Sequence, residues 1–311
     1  MILKKNFDPR KVVPYVWREL AVSVVTASAA YALVEIADVK AAALPFAPVA
    51  MLGTAMAILL AFRNNTSYTR WWEGSTLWQT IHTQSRIFAR LIITFADSHK
   101  HTPSYDPTRA ADFQRSMINR QIAWANVLRL SLRGQETWHE IESYLSAEEY
   151  QSMLQHENKT GYLTLMHGKS IYEAMANGTL QGFDSFQLEN ALAQLTTQES
   201  LAKRLKTTPV PRQYDYFTRL FVYILILLLP FGLLSLLPAG QTWLVIPFAV
   251  LLSFVFAILE RIGAVNEHPF ENRITDVPLS AICRNIERDL LATAGETNLP
   301  PTLFPQDGYL F

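Results

Sequence analysis

The side chains able to do chemistry in this chain are scattered. Seven histidines are present, and none sits at a metal-ligand spacing from another on a helix. His139-Glu140 lacks the second histidine, four residues on, that a zinc-protease helix requires. His99 and His101 flank a lysine in the run His99-Lys100-His101-Thr102-Pro103-Ser104, which reads as a surface loop rather than a metal site. Carboxylates are many, but no pair is singled out by spacing, and neither a Gly-rich phosphate loop nor a Gly-x-Ser-x-Gly turn occurs. Cys283 is the single cysteine, so an intrachain disulfide and a Cys-rich metal centre are both excluded. The residues therefore point to no catalytic site, no metal and no cofactor. An enzyme would need a site assembled from distant positions. Lys plus Arg, at 27, equals Asp plus Glu, so net charge gives no reason to expect nucleic acid as a partner.

The elements that would position any site are apolar helices. Residues 220–259 contain no charged residue and no histidine over 40 positions. One membrane crossing takes about 20 apolar residues, and Pro238-Ala239-Gly240-Gln241 divides the stretch as a turn would. The spacing predicts a helical hairpin over 214–237 and 242–260. Residues 41–62 are uncharged over 22 positions and form another span. A first span runs over 12–36, with Arg18 and Glu19 placed at an interface or against protein. It follows a basic stretch and is too long for a signal-peptide core, so it reads as a retained helix.

Lys4, Lys5, Arg10 and Lys11 precede the first span, Arg63 and Arg70 follow the second, Arg219 precedes the third, and Arg261 and Arg273 follow the fourth. The connections within each pair carry only Asp38 and Lys40 in one case and no charge in the other. The positive-inside tendency then puts both termini and the middle region in the cytoplasm of an inner-membrane protein. The chain divides into a first transmembrane pair (12–62), a helical cytoplasmic region (63–213), a second hairpin (214–260) and a cytoplasmic C-terminal segment (261–311).

The middle region is polar and helical in pattern. Asp106-Pro107 is a helix start, and Phe113, Ile118, Ile122, Val127, Leu128 and Leu132 follow on an amphipathic face. Ser146-Ala-Glu-Glu149 and Asp184-Ser-Phe-Gln187 both resemble capping boxes, the latter leading into Leu188, Leu192, Leu195, Leu201 and Leu205. Alternating strand patterns and internal repeats are absent. The tail over 295–311, with three prolines, is not a regular helix.

The densest cluster lies at the end of the second span: Arg63-Asn64-Asn65-Thr66-Ser67-Tyr68-Thr69-Arg70-Trp71-Trp72-Glu73-Gly74. By composition it is an apolar helix that runs without a breaker into an interfacial belt of aromatic and basic residues. Together with two further motifs it resembles the bestrophin family of ion channels. Arg70-Trp71-Trp72 looks like the family signature; Pro230-Phe231-Gly232-Leu233 in the third span is similar to bacterial members, as is Glu267-His268-Pro269-Phe270 followed by Asp276-Val277-Pro278-Leu279. The order and spacing of the spans agree over nearly the whole chain.

The resemblance implies an all-α membrane protein: a homopentamer with four transmembrane helices per subunit and a helical cytoplasmic domain, assembled around a central pore. Its partners would be itself, membrane lipid and monovalent ions. Carried over from the signature, the neck of the pore would be Thr54, Ile58 and Phe62, with Thr54 in place of the usual apolar residue. A second, lower constriction would fall at Leu180 or Phe183. The acidic run that forms a calcium clasp in animal members is reduced here to Glu271 and Asp276 around Arg273, against the six to eight oxygen ligands calcium takes. No clasp is expected.

Apolar rings close by dewetting and discriminate weakly by charge. Glu35 and Asp38 near the outer mouth, with Lys40 the one nearby cation, favour cations such as sodium. An anion (chloride) channel of the same fold and a membrane-anchored scaffold or enzyme are the alternatives. The paired spans show no mutual similarity of the kind carriers display.

Overall fold

The computed structural model describes residues 1–4, 9–103 and 105–311, with the backbone alone for residues 9–12. Lys5 and Ser104, and the side chains of Arg10, Lys11 and Val12, lie outside the described residues. Nine α-helices are found among the described residues: α1 Pro9–Tyr31, α2 Phe46–Ser98, α3 Pro107–Arg133, α4 Ala147–Gln155, α5 Lys159–Ala176, α6 Asp184–Thr207, α7 Arg212–Leu234, α8 Val245–Asn266 and α9 Leu279–Thr293. The only β pairings among those residues are isolated bridges joining Ile2 and Gln306 to Tyr309.

Two compact units result. One comprises Lys4–Trp71 and Pro209–His268, the other Met1–Leu3, Trp72–Thr208 and Pro269–Phe311.

The first unit holds all four long apolar stretches. α1, α7 and α8 pack on one another, and the first half of α2 joins them. Their shared core is aliphatic: Ala27 and Ala30 from α1, Met56 and Leu60 from α2, Ile226 and Leu229 from α7, and Ala249 from α8. Close approach depends on small residues, as expected where lipid competes equally for apolar surface. Ser23 of α1 and Ser253 of α8 are both buried and hydrogen-bonded at 2.9 Å. A Cβ on Gly232 would come within 3.0 Å of Val49, so this glycine admits α2 to α7. Pro230 removes one donor from the ladder of α7, and one residue on, the Phe231 carbonyl accepts from the Leu44 amide at 3.1 Å. The α7–α8 connection is the expected turn: Gly240 adopts φ +84° and the Gln241 amide donates to the Pro238 carbonyl. α1 ends in a π-helical turn over Ala32–Ile36, and a short 3-10 turn at Lys40–Ala42 leads into α2.

α2 has 53 residues. At 1.5 Å per residue this is about 80 Å, against roughly 30 Å of hydrocarbon, so the helix must continue well outside a bilayer. After Phe62 it contains no proline and a single glycine, Gly74, which is why the apolar span and the polar cluster form one element.

The second unit is built around α3, which packs against α5, α6 and α9. Ile118, Ile122, Leu128 and Trp124 of α3 are fully buried, as are Trp78, Ile81, Phe88 and Ile92 from the second half of α2. Asp106 caps α3 by accepting from the Thr108 and Arg109 amides, with Pro107 at the first helical position. Ser146 likewise caps α4 through the Glu149 amide. The reciprocal half of that capping box is missing, because the Glu149 carboxylate is engaged by buried Arg120, which also reaches Ser170. Asp184 begins α6 but does not cap it: its carboxylate turns back to the Gln181 amide at 3.1 Å and to His99 at 2.7 Å. Residues 1–3 pair with residues 308–310, Leu3 donating to the Gly308 carbonyl and Leu310 to that of Met1.

Candidate ion pathway and its supports

The helix that carries the proposed neck has two faces. Val49, Met56, Leu60, Arg63 and Ser67, three, four or seven residues apart, are buried within the four-helix unit. Thr54, Ile58 and Phe62 lie on the opposite side. Ile58 is 53% and Phe62 70% exposed, as are Met51 and Leu59 in part, while Val49, Met56 and Leu60 are enclosed. Spaced by four, the three side chains form a continuous strip. The Thr54 hydroxyl donates to the Ala50 carbonyl at 3.0 Å, which consumes its proton inside the helix. What Thr54 offers outward is a methyl group and oxygen lone pairs, so it is less polar than its type suggests. Thr66 and Thr69, further along α2, back-bond in the same way to Phe62 and Asn65.

Immediately after Phe62 the charge is locked inward. Arg63 donates to Glu260 of α8 at 2.9 Å and to Asp215 of α7. Arg219 adds contacts of 3.3 Å to Asp215 and 3.8 Å to Glu260. Arg63 and Glu260 are almost fully buried, so each needs the other to compensate lost hydration. Sequence reading placed Arg63 among the interfacial cations and missed this network. The available signal was that all four charges, Arg63, Asp215, Arg219 and Glu260, sit at the same end of their spans.

The signature cluster is a second tie between α2 and α8. Arg70 donates from Nε to the carbonyl of Glu267, the residue that caps the C-terminus of α8, at 3.0 Å. A guanidinium there satisfies an orphan carbonyl and complements the negative end of the helix dipole. The Glu267 carboxylate accepts from the Val210 amide at 3.3 Å. Trp71 stacks on Tyr68 with ring centroids 6.3 Å apart, and Trp72 is more than half exposed.

At the opposite end of the spans, Glu35 sits in the π-helical turn and Asp38 in a left-handed conformation at φ +49°. Both are exposed. Lys40 lies 3.3 Å from Asp38. Glu35 has no ion-pair partner among the described residues.

In the second unit the two candidates for the lower constriction differ. Leu180 is fully buried, its amide donating to the Ala174 carbonyl. Phe183 is 80% exposed beside Phe186, at 5.9 Å between centroids. Gly182, at φ +57°, turns the chain so that Phe183 points outward, and the His99–Asp184–Gln181 set braces that turn. His101 takes no part, so His99 and His101 are not brought together as ligands. The same unit contains the 269–277 loop. Phe270 is buried against Gly74, where a Cβ would meet its ring at 3.2 Å. Glu271 is paired with Lys206 at 2.6 Å, and Asp276 is turned inward onto the Arg273 amide at 3.1 Å, where burial raises its pKa. Cys283 is enclosed, and burial pushes its thiol up to about 12.

The family described as Bacterial/Fungal Bestrophin protein matches residues 8–292. The chain belongs to the bestrophin family. Among relatives of this bestrophin, the voltage-dependent anion channel-forming protein YneE of Escherichia coli is 31% identical over 264 residues, spanning 85% of this chain and 81% of that protein. The voltage-dependent anion channel-forming protein mll4386 of Mesorhizobium japonicum is 27% identical over the same length, 85% of this chain and 79% of its own. The crystal structure of a bacterial bestrophin homologue from Klebsiella pneumoniae superposes with a TM-score of 0.80 at 26% identity, covering 90% of this chain and 99% of that one. The protein is thus an all-helical membrane protein of an ion-channel family, and not an enzyme.

Proposed function

We propose that five copies of this bestrophin surround one central pore that passes monovalent ions, and that Thr54, Ile58 and Phe62 of each copy form its neck. The observation that carries this reading is the exposure of Ile58 and Phe62 on a helix whose opposite face is packed. Rings of these side chains offer no polar replacement for water around an ion, so the neck closes by dewetting and opens by widening. Phe183 is the better candidate for the lower constriction, because Leu180 is spent in its own subunit's core.

The bilayer takes 12–62 and 214–260, while 63–213 and 261–311 are cytoplasmic in a protein of the cell membrane. The pairing of residues 1–3 with 308–310 supports placing both ends on one side. Calcium is not expected to act through the 269–277 loop, since Glu271 and Asp276 already have partners.

Cations are favoured over anions on the strength of the outer mouth. Glu35 and Asp38 against Lys40 leave one net negative charge per copy, repeated around the ring. The second reading is an anion channel, favoured by the names of the YneE and mll4386 relatives. Reversal potentials of purified protein in planar bilayers under opposed sodium and chloride gradients decide between them. A value near the sodium potential, moved toward zero by Glu35→Gln, supports the cation reading; a value near the chloride potential overturns it. Absence of current from folded protein overturns the pore.

A further inference from the structure

The N-terminal ends of α1 and α7 and the C-terminal end of α8 enclose a cavity of about 360 Å³. Its lining carries three arginines, Arg18, Arg219 and Arg261, against two carboxylates, Glu19 and Glu260. The carboxylates are already engaged: Glu260 by Arg63, and Glu19 by the Tyr223 hydroxyl, which donates to it at 2.9 Å. Arg219 is shared with Asp215. Arg18 and Arg261 have no carboxylate partner among the described residues. Each instead lies over an aromatic ring of the same cavity, Arg18 over Trp17 at 5.7 Å and Arg261 over Tyr15 at 5.8 Å.

We propose that this cavity binds the phosphate of an anionic membrane lipid. Guanidinium forks match phosphate oxygens in pairs, and a lining with one surplus positive charge suits a phosphodiester with one negative charge. The volume accommodates a small headgroup. Trp17 and Tyr15 are the residue types that settle at headgroup depth. Exposed apolar side chains on the same helices, Val13 and Val24 of α1 and Val255 and Ile262 of α8, provide a surface for acyl chains. Free phosphate would use the arginines but not this surface. The inference requires α1, α7 and α8 to meet a bilayer, and does not depend on the ion preference or the pore residues.

The test is native mass spectrometry of the full chain in detergent, titrated separately with phosphatidylglycerol, phosphatidylcholine and inorganic phosphate. Wild type is expected to retain phosphatidylglycerol in preference to the other two. At about 1 kcal/mol per basic residue near a membrane surface, Arg18→Gln/Arg261→Gln weakens phosphatidylglycerol binding about 30-fold. Glu19→Gln keeps the acceptor for Tyr223 and removes a repelling charge, so it tightens binding about 5-fold; misfolding cannot produce such a gain. Equal retention of phosphatidylglycerol and phosphatidylcholine, or indifference to both variants, overturns the proposal. Inorganic phosphate bound as tightly as phosphatidylglycerol overturns the lipid assignment in favour of a free anion.

Discussion

Removing Arg63 tests the logic of the charge network behind the neck. Its side chain is 7% exposed and that of Glu260 9%. Truncating one member of a buried pair leaves the other charged and desolvated, at a cost of about 3–5 kcal/mol. Arg219, half exposed, stands 3.8 Å from Glu260 and 3.3 Å from Asp215 and takes over part of the compensation. The lower end, about 3 kcal/mol, is therefore the expectation for Arg63→Gln. At roughly 2 °C per kcal/mol, the low end of the range, which suits a chain of this length, the unfolding midpoint falls by about 6 °C. Glu260→Gln leaves Arg63 with Asp215 and costs less. The double variant Arg63→Gln/Glu260→Gln removes both charges and leaves the Asp215–Arg219 pair intact. It should be more stable than the sum of the single changes implies, by about 2 kcal/mol, because the uncompensated charge is gone. Tryptophan-fluorescence melting at fixed detergent and scan rate measures all four proteins. A shift under 2 °C for Arg63→Gln, or strict additivity in the double variant, would refute the reasoning.

Three further outcomes follow from other contacts. Ile58→Ala or Phe62→Ala should raise single-channel conductance in planar bilayers by widening the apolar ring, and an unchanged current would remove these residues from the neck. His167 is fully enclosed against Phe88, with Nδ1 at 3.4 Å from the Met117 sulfur, and burial and nearby Arg120 hold its pKa well below 6.5. The unfolded chain binds the proton first, so this contribution to stability is present above about pH 6.5 and lost as pH falls below it; His167→Met should flatten the loss between pH 7 and 5 in melting curves. A Cβ on Gly263 would come 2.5 Å from the Asn64 side-chain oxygen. Gly263→Ala should thus cost about 1–3 kcal/mol, and Asn64→Ala in the same chain should recover most of it in the same assay.

Much of the fold was readable because the relevant forces are local. Three spans follow from the length of uncharged stretches and the first from a shorter apolar run beside Arg18 and Glu19, the caps at Asp106 and Ser146 from side chains within three residues of the amides they accept, and the turn at Gly240 from one residue's freedom at positive φ. Where a distant partner competes, local reading failed. Glu149 leaves its capping box for Arg120, because a mostly buried carboxylate gains more from a guanidinium than from a solvated backbone amide, and Asp184 turns out of its own box to His99 and the preceding Gln181 amide.

Sequence alone determined that this is a helical membrane protein, and three short motifs were enough to indicate the family. Only the tertiary structure decided what those motifs do. It showed that Arg70 ties α2 to the last carbonyl of α8, that Arg63 is buried between α7 and α8 rather than exposed at an interface, and that Phe183 projects where Leu180 is enclosed. Hydropathy reports whether a residue prefers lipid or water, but these pairings span up to 197 residues. They depend on the register at which one helix packs against another, and no local preference encodes that.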